Sequence, residues 1–214
     1  MQGYQRDLID LCLRLDVLRF GTFTLKSGRQ SPYFFNAGLF ASGTALARLG
    51  EYYARSIEAS GIAFDMLFGP AYKGIPLAAA VAIAYDRLYD RDIPYAYNRK
   101  EAKDHGEGGH IVGAALTGRV LIVDDVISAG TSARESAGWI EAAGAEIAGL
   151  AIALDRQERG AAERSAVAEV QHLVGAPVTS IITLADLIRY VADAPGMADV
   201  SAAMQSYRER YGAS

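Results

Sequence analysis

Cysteine is nearly absent from this sequence: Cys12 stands alone in 214 residues. A lone thiol excludes an intrachain disulfide and suits a reducing compartment. It falls at helical spacing among Leu8, Leu11 and Leu15, which predicts core packing as a small buried hydrophobe. Long apolar runs are missing too. No stretch approaches about 18 apolar residues, so no membrane-spanning helix is expected. The first residues carry no apolar leader core, so no signal peptide is expected and the cytoplasm is the default setting. Nor is there a block of one charge. The formal charge of −4 is spread along the chain, with no basic run to grip nucleic acid and no acidic tail. An anionic substrate must then be met by a local cluster of bases and not by a global field. Internal repeats, low-complexity tracts and Pro/Ser linkers are also absent, which leaves one domain over residues 1–214.

What is present is an alternation of short apolar runs and amphipathic segments. A helix is predicted over residues 4–15, with Leu8, Leu11 and Leu15 inward. Short strands follow at 20–26 and 32–36, flanking the turn Ser27-Gly28-Arg29. This opening piece, roughly 1–40, precedes the regular pattern and reads as a small hood over the main domain. A long helix at 44–60 ends at Gly61. Strands are then predicted at 64–68, 93–97, 119–123, 147–154 and 178–182. Helices are predicted at 74–89, 131–143, 162–172, 184–192 and 197–211. Strands and helices of these lengths imply an α/β fold with a central, mostly parallel sheet flanked by helices. Ligands of such sheets sit beyond the carboxyl ends of the strands. The loops after Phe68, Tyr97, Val123 and Leu154 are therefore the ones to inspect.

The loop after Val123 carries the strongest signal. In VLIVDDVISAGTS, residues 120–132, an apolar run leads to Asp124-Asp125, then Val126-Ile127, then Ser128-Ala129-Gly130-Thr131-Ser132. The run is a buried central strand. Adjacent carboxylates at its end are costly unless hydroxyls, cations or water meet them. Small residues then let successive backbone N–H groups converge on an anion at a helix start. Thr131 and Ser132 add hydroxyls that can cap that helix. An anion beside a polyol beside Mg²⁺ suits such a loop. Neither the dinucleotide fingerprint nor a Walker loop is present, and Gly-x-Ser-x-Gly and His-Glu-x-x-His are missing. Gly69-Pro70-Ala71-Tyr72-Lys73-Gly74 lacks the Gly-Lys-Ser/Thr ending of the Walker loop.

Residues 120–132 resemble the signature of the type I phosphoribosyltransferases, which use 5-phosphoribosyl-1-diphosphate (PRPP). The resemblance implies that Asp124 and Asp125 hold the ribose hydroxyls, that Ser128 to Ser132 cradle the 5-phosphate, and that Val126 and Ile127 also belong to the PRPP site. Further segments resemble the orotate-specific branch of that family. Leu25-Lys26-Ser27-Gly28 and Ser31-Pro32-Tyr33-Phe34-Phe35-Asn36 match its hood. There the lysine, here Lys26, reaches the donor, and the paired phenylalanines, here Phe34 and Phe35, lie against the base. The segment 69–74 matches a pyrophosphate loop, with Tyr72 and Lys73 at the donor and an unusual peptide ahead of Tyr72. Asn98-Arg99-Lys100-Glu101-Ala102-Lys103-Asp104-His105-Gly106-Glu107-Gly108-Gly109 matches a catalytic loop, roughly 98–113. Read by itself it is too poor in apolar residues to stay ordered alone. A loop bearing Arg99, Lys100, Lys103 and His105 suits closure over a leaving diphosphate. In the family this loop reaches into the partner subunit's site, which implies a homodimer. Arg156, after a core strand, can grip a planar carboxylate with a bidentate fork, and the resemblance gives it orotate's carboxylate, with Ser128 also at the base. The family often has Thr where this chain has Ser128; the hydroxyl survives. Arg159 reads as a surface residue, and His110 and His172 as incidental surface histidines.

The reaction implied is orotate plus PRPP giving orotidine 5′-monophosphate and diphosphate. No protein nucleophile is needed, so catalysis is positioning plus electrostatics. Mg²⁺ is implied as the cofactor, held mainly by PRPP and water, with Asp124 or Asp125 as the protein ligand. Two other readings keep Asp124 to Ser132. A sister enzyme with a purine base is opposed by Lys26, Phe34-Phe35 and Arg156. A non-catalytic PRPP sensor is opposed by the complete 98–109 segment and by the absence of a basic face.

Overall fold

The computed structural model of the protein describes residues 1–25, 27–103, 109–127, 130–160 and 164–213. The chain opens with helix α1 (Gly3–Arg14), whose Leu8, Ile9, Leu11 and Cys12 are buried. Strands β1 (Leu18–Thr24) and β2 (Gln30–Phe35) follow and pair antiparallel as a separate two-stranded sheet. This is the hood. Next comes α2 (Gly43–Ser60), capped by the Ser42 hydroxyl accepting from the Ala45 N–H. It stops at Gly61, where φ is 70° and a glycine is the cheapest residue.

The main sheet is built from β3 (Met66–Gly69), β4 (Tyr95–Lys103), β5 (Gly109–Gly113), β6 (Arg119–Val123), β7 (Glu146–Asp155) and β8 (Val178–Thr183). Its order is β5-β4-β3-β6-β7-β8. All pairs are parallel except β4 with β5. The expected mostly parallel sheet is therefore present. Helices α3 (Gly74–Tyr89), α4 (Thr131–Ala142), α5 (Ala166–Val174), α6 (Leu184–Asp193) and α7 (Ala198–Tyr211) complete the chain.

Strand alternation divides the core in two. On β6, Leu121 and Val123 join the larger cluster, with residues of α1, α2, α3, α6 and α7. Val120 and Ile122 turn to the other face and join residues of α4 and α5. Both faces of β6 are thus covered, which is why its sequence is uninterruptedly apolar. Cys12 is fully buried in the larger cluster, as its spacing predicts.

Three expectations shift. The segment expected as a loop from residue 98 is strand as far as Lys103, and residues 109–113 are the returning strand β5. β4 and β5 pair antiparallel at the sheet edge, and residues 104–108 between them lie outside the described residues. The fifth predicted helix start is also late: α5 begins after Ser165, whose hydroxyl accepts from the Ala168 N–H. Residues 161–163 lie outside the described residues. A short 3₁₀ turn at Ala37–Leu39 was not expected; the Asn36 side chain caps it by accepting from the Gly38 N–H. Among the described residues, no helix is long and apolar enough to cross a membrane.

Candidate active site

The carboxyl ends of β3, β6 and β7 open on the same edge of the sheet, as parallel pairing requires. Asp124 and Asp125 directly follow β6. Their main chains are locked: the Asp124 N–H donates to the Ala151 carbonyl at 3.0 Å, and the Ala153 N–H donates to the Asp125 carbonyl at 2.9 Å. The Asp124 carbonyl accepts the Tyr53 hydroxyl of α2 at 2.6 Å. Tyr53 is completely buried, and that burial, with Asp125 and Asp124 close by, pushes its phenol well above the usual range. It stays a neutral donor.

The two carboxylates are satisfied differently. Asp124 accepts from the Asp125 N–H at 2.9 Å and from the Ser132 hydroxyl at 2.9 Å. Burial and the neighbouring Asp125 charge outweigh those two bonds, and its pKa is pushed up to about 6. Asp125 pairs instead with the Lys73 ammonium, 2.6 Å from Nζ to Oδ2. That lysine comes from the loop after β3 and remains more than half exposed.

The β3 loop is held close. A Cβ on Gly69 would lie 2.1 Å from the Gly74 carbonyl oxygen, and one on Gly74 would lie 2.9 Å from the Val123 carbonyl oxygen. Only glycine lets the feet of this loop press on each other and on the end of β6. The Ala71 N–H donates to Asn98 Oδ1 of β4 at 2.8 Å, and the Ala71–Tyr72 peptide is cis. Tyr72 is 69% exposed, and Lys100 Nζ stands 5.2 Å over its ring. Loop 70–73 and strand β4 therefore meet before any ligand arrives.

Helix α4 begins at Gly130, in the left-handed region with φ 69° and with no side-chain cap. The expected hydroxyl cap is not made. Ser132 turns its hydroxyl to Asp124, and Thr131 is exposed. Among the described residues no side chain caps the first turn of α4, which suits an anion there.

Beyond β7, Arg156 borders a cavity of about 540 Å³ lined by Leu25, Ser27 and Arg29 of the hood turn and by Val126 and Ile127 of the β6 loop. Hood and main sheet thus enclose one space. The β6 loop thus joins two groups of side chains: Asp124 and Asp125 with Ser132 and Lys73 at its start, and Val126 and Ile127 beside the cavity that Arg156 lines.

The comparisons with known proteins agree with this geometry. Residues 39–183 match the model of the phosphoribosyl transferase domain. An orotate phosphoribosyltransferase of Thioalkalivibrio sulfidiphilus is 61% identical over 212 residues, 99% of this chain and 100% of its own. One from Edwardsiella ictaluri is 60% identical with the same coverage. The chain belongs to the orotate phosphoribosyltransferase family. In three dimensions it is similar to the crystal structure of the family member from Francisella tularensis. The TM-score is 0.88 at 42% identity, covering 96% of this chain and 99% of that one.

Of the expected site residues, Ser132 meets Asp124, Lys73 meets Asp125, and Val126, Ile127 and Arg156 line one cavity, with Gly130 at the start of α4. Arg99 and Lys100 lie on β4 beside the β3 loop. Lys26, His105, Ser128 and Ala129 lie outside the described residues, as does the side chain of Lys103. The phenylalanine pair is split between the two faces of its strand. Adjacent residues of β2 point to opposite faces: Phe35 packs on the core, while Phe34 stacks on Phe23 at 5.6 Å with the Arg19 guanidinium 5.7 Å away. Neither ring lines the cavity beside Arg156. His110 is a correction, because it is not an incidental surface residue. Its ring lies 4.7 Å from the ring of Trp139 on α4, and its Nδ1 is buried. His172 and Arg159 are exposed, as expected. Tyr53, Asn98 and Glu158 are site-supporting residues that sequence reasoning missed. Only Glu158, two positions after Arg156 at a strand end, carried a local signal.

Proposed function

We propose that the chain transfers the ribose 5-phosphate group of PRPP to orotate, giving orotidine 5′-monophosphate and diphosphate in pyrimidine nucleotide biosynthesis. The reading is supported by the acidic pair Asp124-Asp125, with Lys73 on Asp125, leading directly into Val126 and Ile127, which line the same cavity as Arg156. An anionic base and a diphosphate ester suit such groups.

In this reading a ring nitrogen of orotate attacks the anomeric carbon as the bond to diphosphate breaks. Asp124 and Asp125 orient the ribose hydroxyls and counter positive charge growing on the ring. The start of α4 holds the 5-phosphate with backbone N–H groups. Arg156 fixes the carboxylate of the base. Lys73, Arg99, Lys100, Lys103 and His105 meet charge growing on the leaving diphosphate. Closure of the 98–113 segment keeps water from the cationic intermediate state.

Mg²⁺ fits as a cofactor brought largely by the substrate. No cluster of three or more metal-ligating side chains exists among the described residues, and one carboxylate of the acidic pair is already taken by Lys73. Mg²⁺ commonly uses one or two carboxylates plus substrate phosphates and water, so Asp124 or Asp125 is protein ligand enough. When bound it neutralises diphosphate charge. A homodimer with shared sites is part of the proposal, since the β4–β5 pair lies at the edge of the sheet. So is a cytoplasmic setting, which suits the free, buried Cys12 thiol.

The test is the loss of orotate absorbance with PRPP and Mg²⁺ present. Uracil, which lacks the carboxylate that Arg156 would hold, should react about 10⁴-fold less well. Comparable turnover of uracil, or no consumption of orotate, overturns the reading.

A further inference from the structure

Arg156 does not stand free at the edge of the cavity. Its Nε donates to Glu158 Oε1 at 2.7 Å, and its Nη2 lies 2.7 Å from the same oxygen. The guanidinium plane stacks on the Tyr33 ring of β2, 4.4 Å from ring centre to Cζ. Nη2 also reaches the Ser31 hydroxyl at 3.4 Å. The Nε–Nη2 edge is therefore committed to the protein, and the face is pinned by an aromatic ring. What remains for the cavity that Arg156 lines is Nη1 together with the Nη2 hydrogen whose contact with Ser31 is a long 3.4 Å, weak enough to be exchanged for a ligand. Arg156 is 19% exposed, enough for these to meet a ligand.

Glu158 is itself held. The Tyr207 hydroxyl of α7 donates to its Oε1 at 2.7 Å. Arg29 of the hood turn approaches its Oε2 at 3.4 Å and lies 5.2 Å over the Tyr211 ring. The turn carrying Arg156 and Glu158 is tied to the chain's last residues as well. The Arg159 N–H donates to the Tyr211 carbonyl at 2.9 Å, and the Ala213 N–H donates to the Gln157 carbonyl at 2.8 Å. At Gln157 the backbone is left-handed, with φ 49°, a conformation that costs a non-glycine residue and is kept where surroundings fix it. A long, flexible arginine has thus been given one orientation by a carboxylate, an aromatic face, a hood arginine and the C-terminal helix.

We propose that Glu158 is a positioning residue for base recognition: it presets Arg156 to take a planar carboxylate end-on through Nη1 and Nη2. With Tyr207 and Arg29 it makes α7 and the hood part of the base site. The inference rests on the proposed pairing of Arg156 with the carboxylate of orotate. Glu158 supplies selectivity in two ways. It leaves only the geometry that a flat carboxylate can use. It also lowers the net positive charge of the Arg29–Arg156 pair to that of a single cation, so that a phosphate is not favoured over a carboxylate there.

The experiment compares Arg156→Gln, Glu158→Gln, Tyr207→Phe and the double variant Arg156→Gln/Glu158→Gln, measuring KM for orotate and for PRPP, kcat, and melting temperature. A hydrogen bond to a charged group is strong enough that its loss should raise KM for orotate about tenfold in Glu158→Gln. Tyr207→Phe should give a smaller rise, and KM for PRPP should hold in both. In the double variant, Glu158→Gln should add nothing to Arg156→Gln, because it acts through that side chain. If Arg156→Gln leaves KM for orotate unchanged, the pairing of Arg156 with orotate is wrong and the inference falls with it. If Arg156→Gln raises KM but Glu158→Gln lowers it, Glu158 competes with the substrate and the positioning role is overturned. Equal changes in both KM values, or a lowered melting temperature with additive effects in the double variant, reduce Glu158 to a structural residue and overturn it too.

Discussion

Asp124→Asn should stabilise the ligand-free protein at neutral and higher pH while abolishing turnover. Asp124 belongs to a buried strand end with a second carboxylate beside it, and its pKa is pushed from an ordinary 3.8 to about 6. Each unit corresponds to about 1.4 kcal/mol, so the ionised side chain costs the fold about 3 kcal/mol. The cost is absent at low pH, where the folded protein keeps a proton on Asp124. It grows as pH rises from about 4 to about 6 and is complete above that. Asparagine is neutral throughout. Its oxygen can still accept from the Asp125 N–H, and its amide can donate to the Ser132 oxygen in place of the present bond. The value of about 6 already includes the bond from Ser132; allowing for an amide that replaces the protonated acid imperfectly, the gain is about 1–2 kcal/mol. For a chain of this size that is a rise in melting temperature of about 2–8 °C. Thermal melts of both proteins with a chelator present, at about pH 8 and about pH 4.5, test it. The difference should be positive at the higher pH and should shrink toward zero at the lower. A variant that melts below wild type at pH 8, or a gap that does not change with pH, refutes the reasoning that burial and Asp125 raise this group.

Two further outcomes are expected. Lys103→Ala should cut turnover by about 10²–10³-fold with donor affinity less affected, and Asp125→Asn should cost activity far more than folding. Refolded together, the two mutants should recover about a quarter of wild-type activity, because half of the dimers are mixed and each holds one intact site; activity no higher than that of the separate mutants, once exchange is verified, refutes the shared site. Tyr53→Phe, which leaves the Asp124 carbonyl without its 2.6 Å donor, should cost about 1–2 kcal/mol in urea unfolding and raise KM for PRPP; an unchanged midpoint and KM would mean the bond contributes nothing.

The sheet and the acidic loop were legible because their signals are local. An apolar run covered on both faces, as in residues 120–123, has few other readings, and α3 lies where its spacing predicts. The β4–β5 pair was not legible. Residues 98–103 are polar, and what makes them strand is backbone pairing with β5, which composition does not record. That Phe34 and Phe35 face opposite ways was available in principle, since neighbours in a strand cannot share a face. Ser132 was expected at a cap because caps are local, yet its hydroxyl goes to Asp124, eight positions back. Tyr53, Asn98 and Glu158 act through partners 71, 27 and, by way of Arg29, 129 positions away. Such pairings belong to topology and not to the residues themselves.

The close approach of Gly69 and Gly74 has a consequence for how this loop can vary over evolutionary time. Between two positions where even a methyl group would strike backbone, the chain has an exposed tip at Tyr72. The feet admit no exploration, since any side chain would push the β3 turn off the end of β6 and carry Lys73 away from Asp125. The tip can change its contacts with an incoming chain or ligand without moving those feet. Substitution in this part of the protein is therefore tolerated by what Tyr72 touches and resisted by the spacing between Lys73 and the acidic pair.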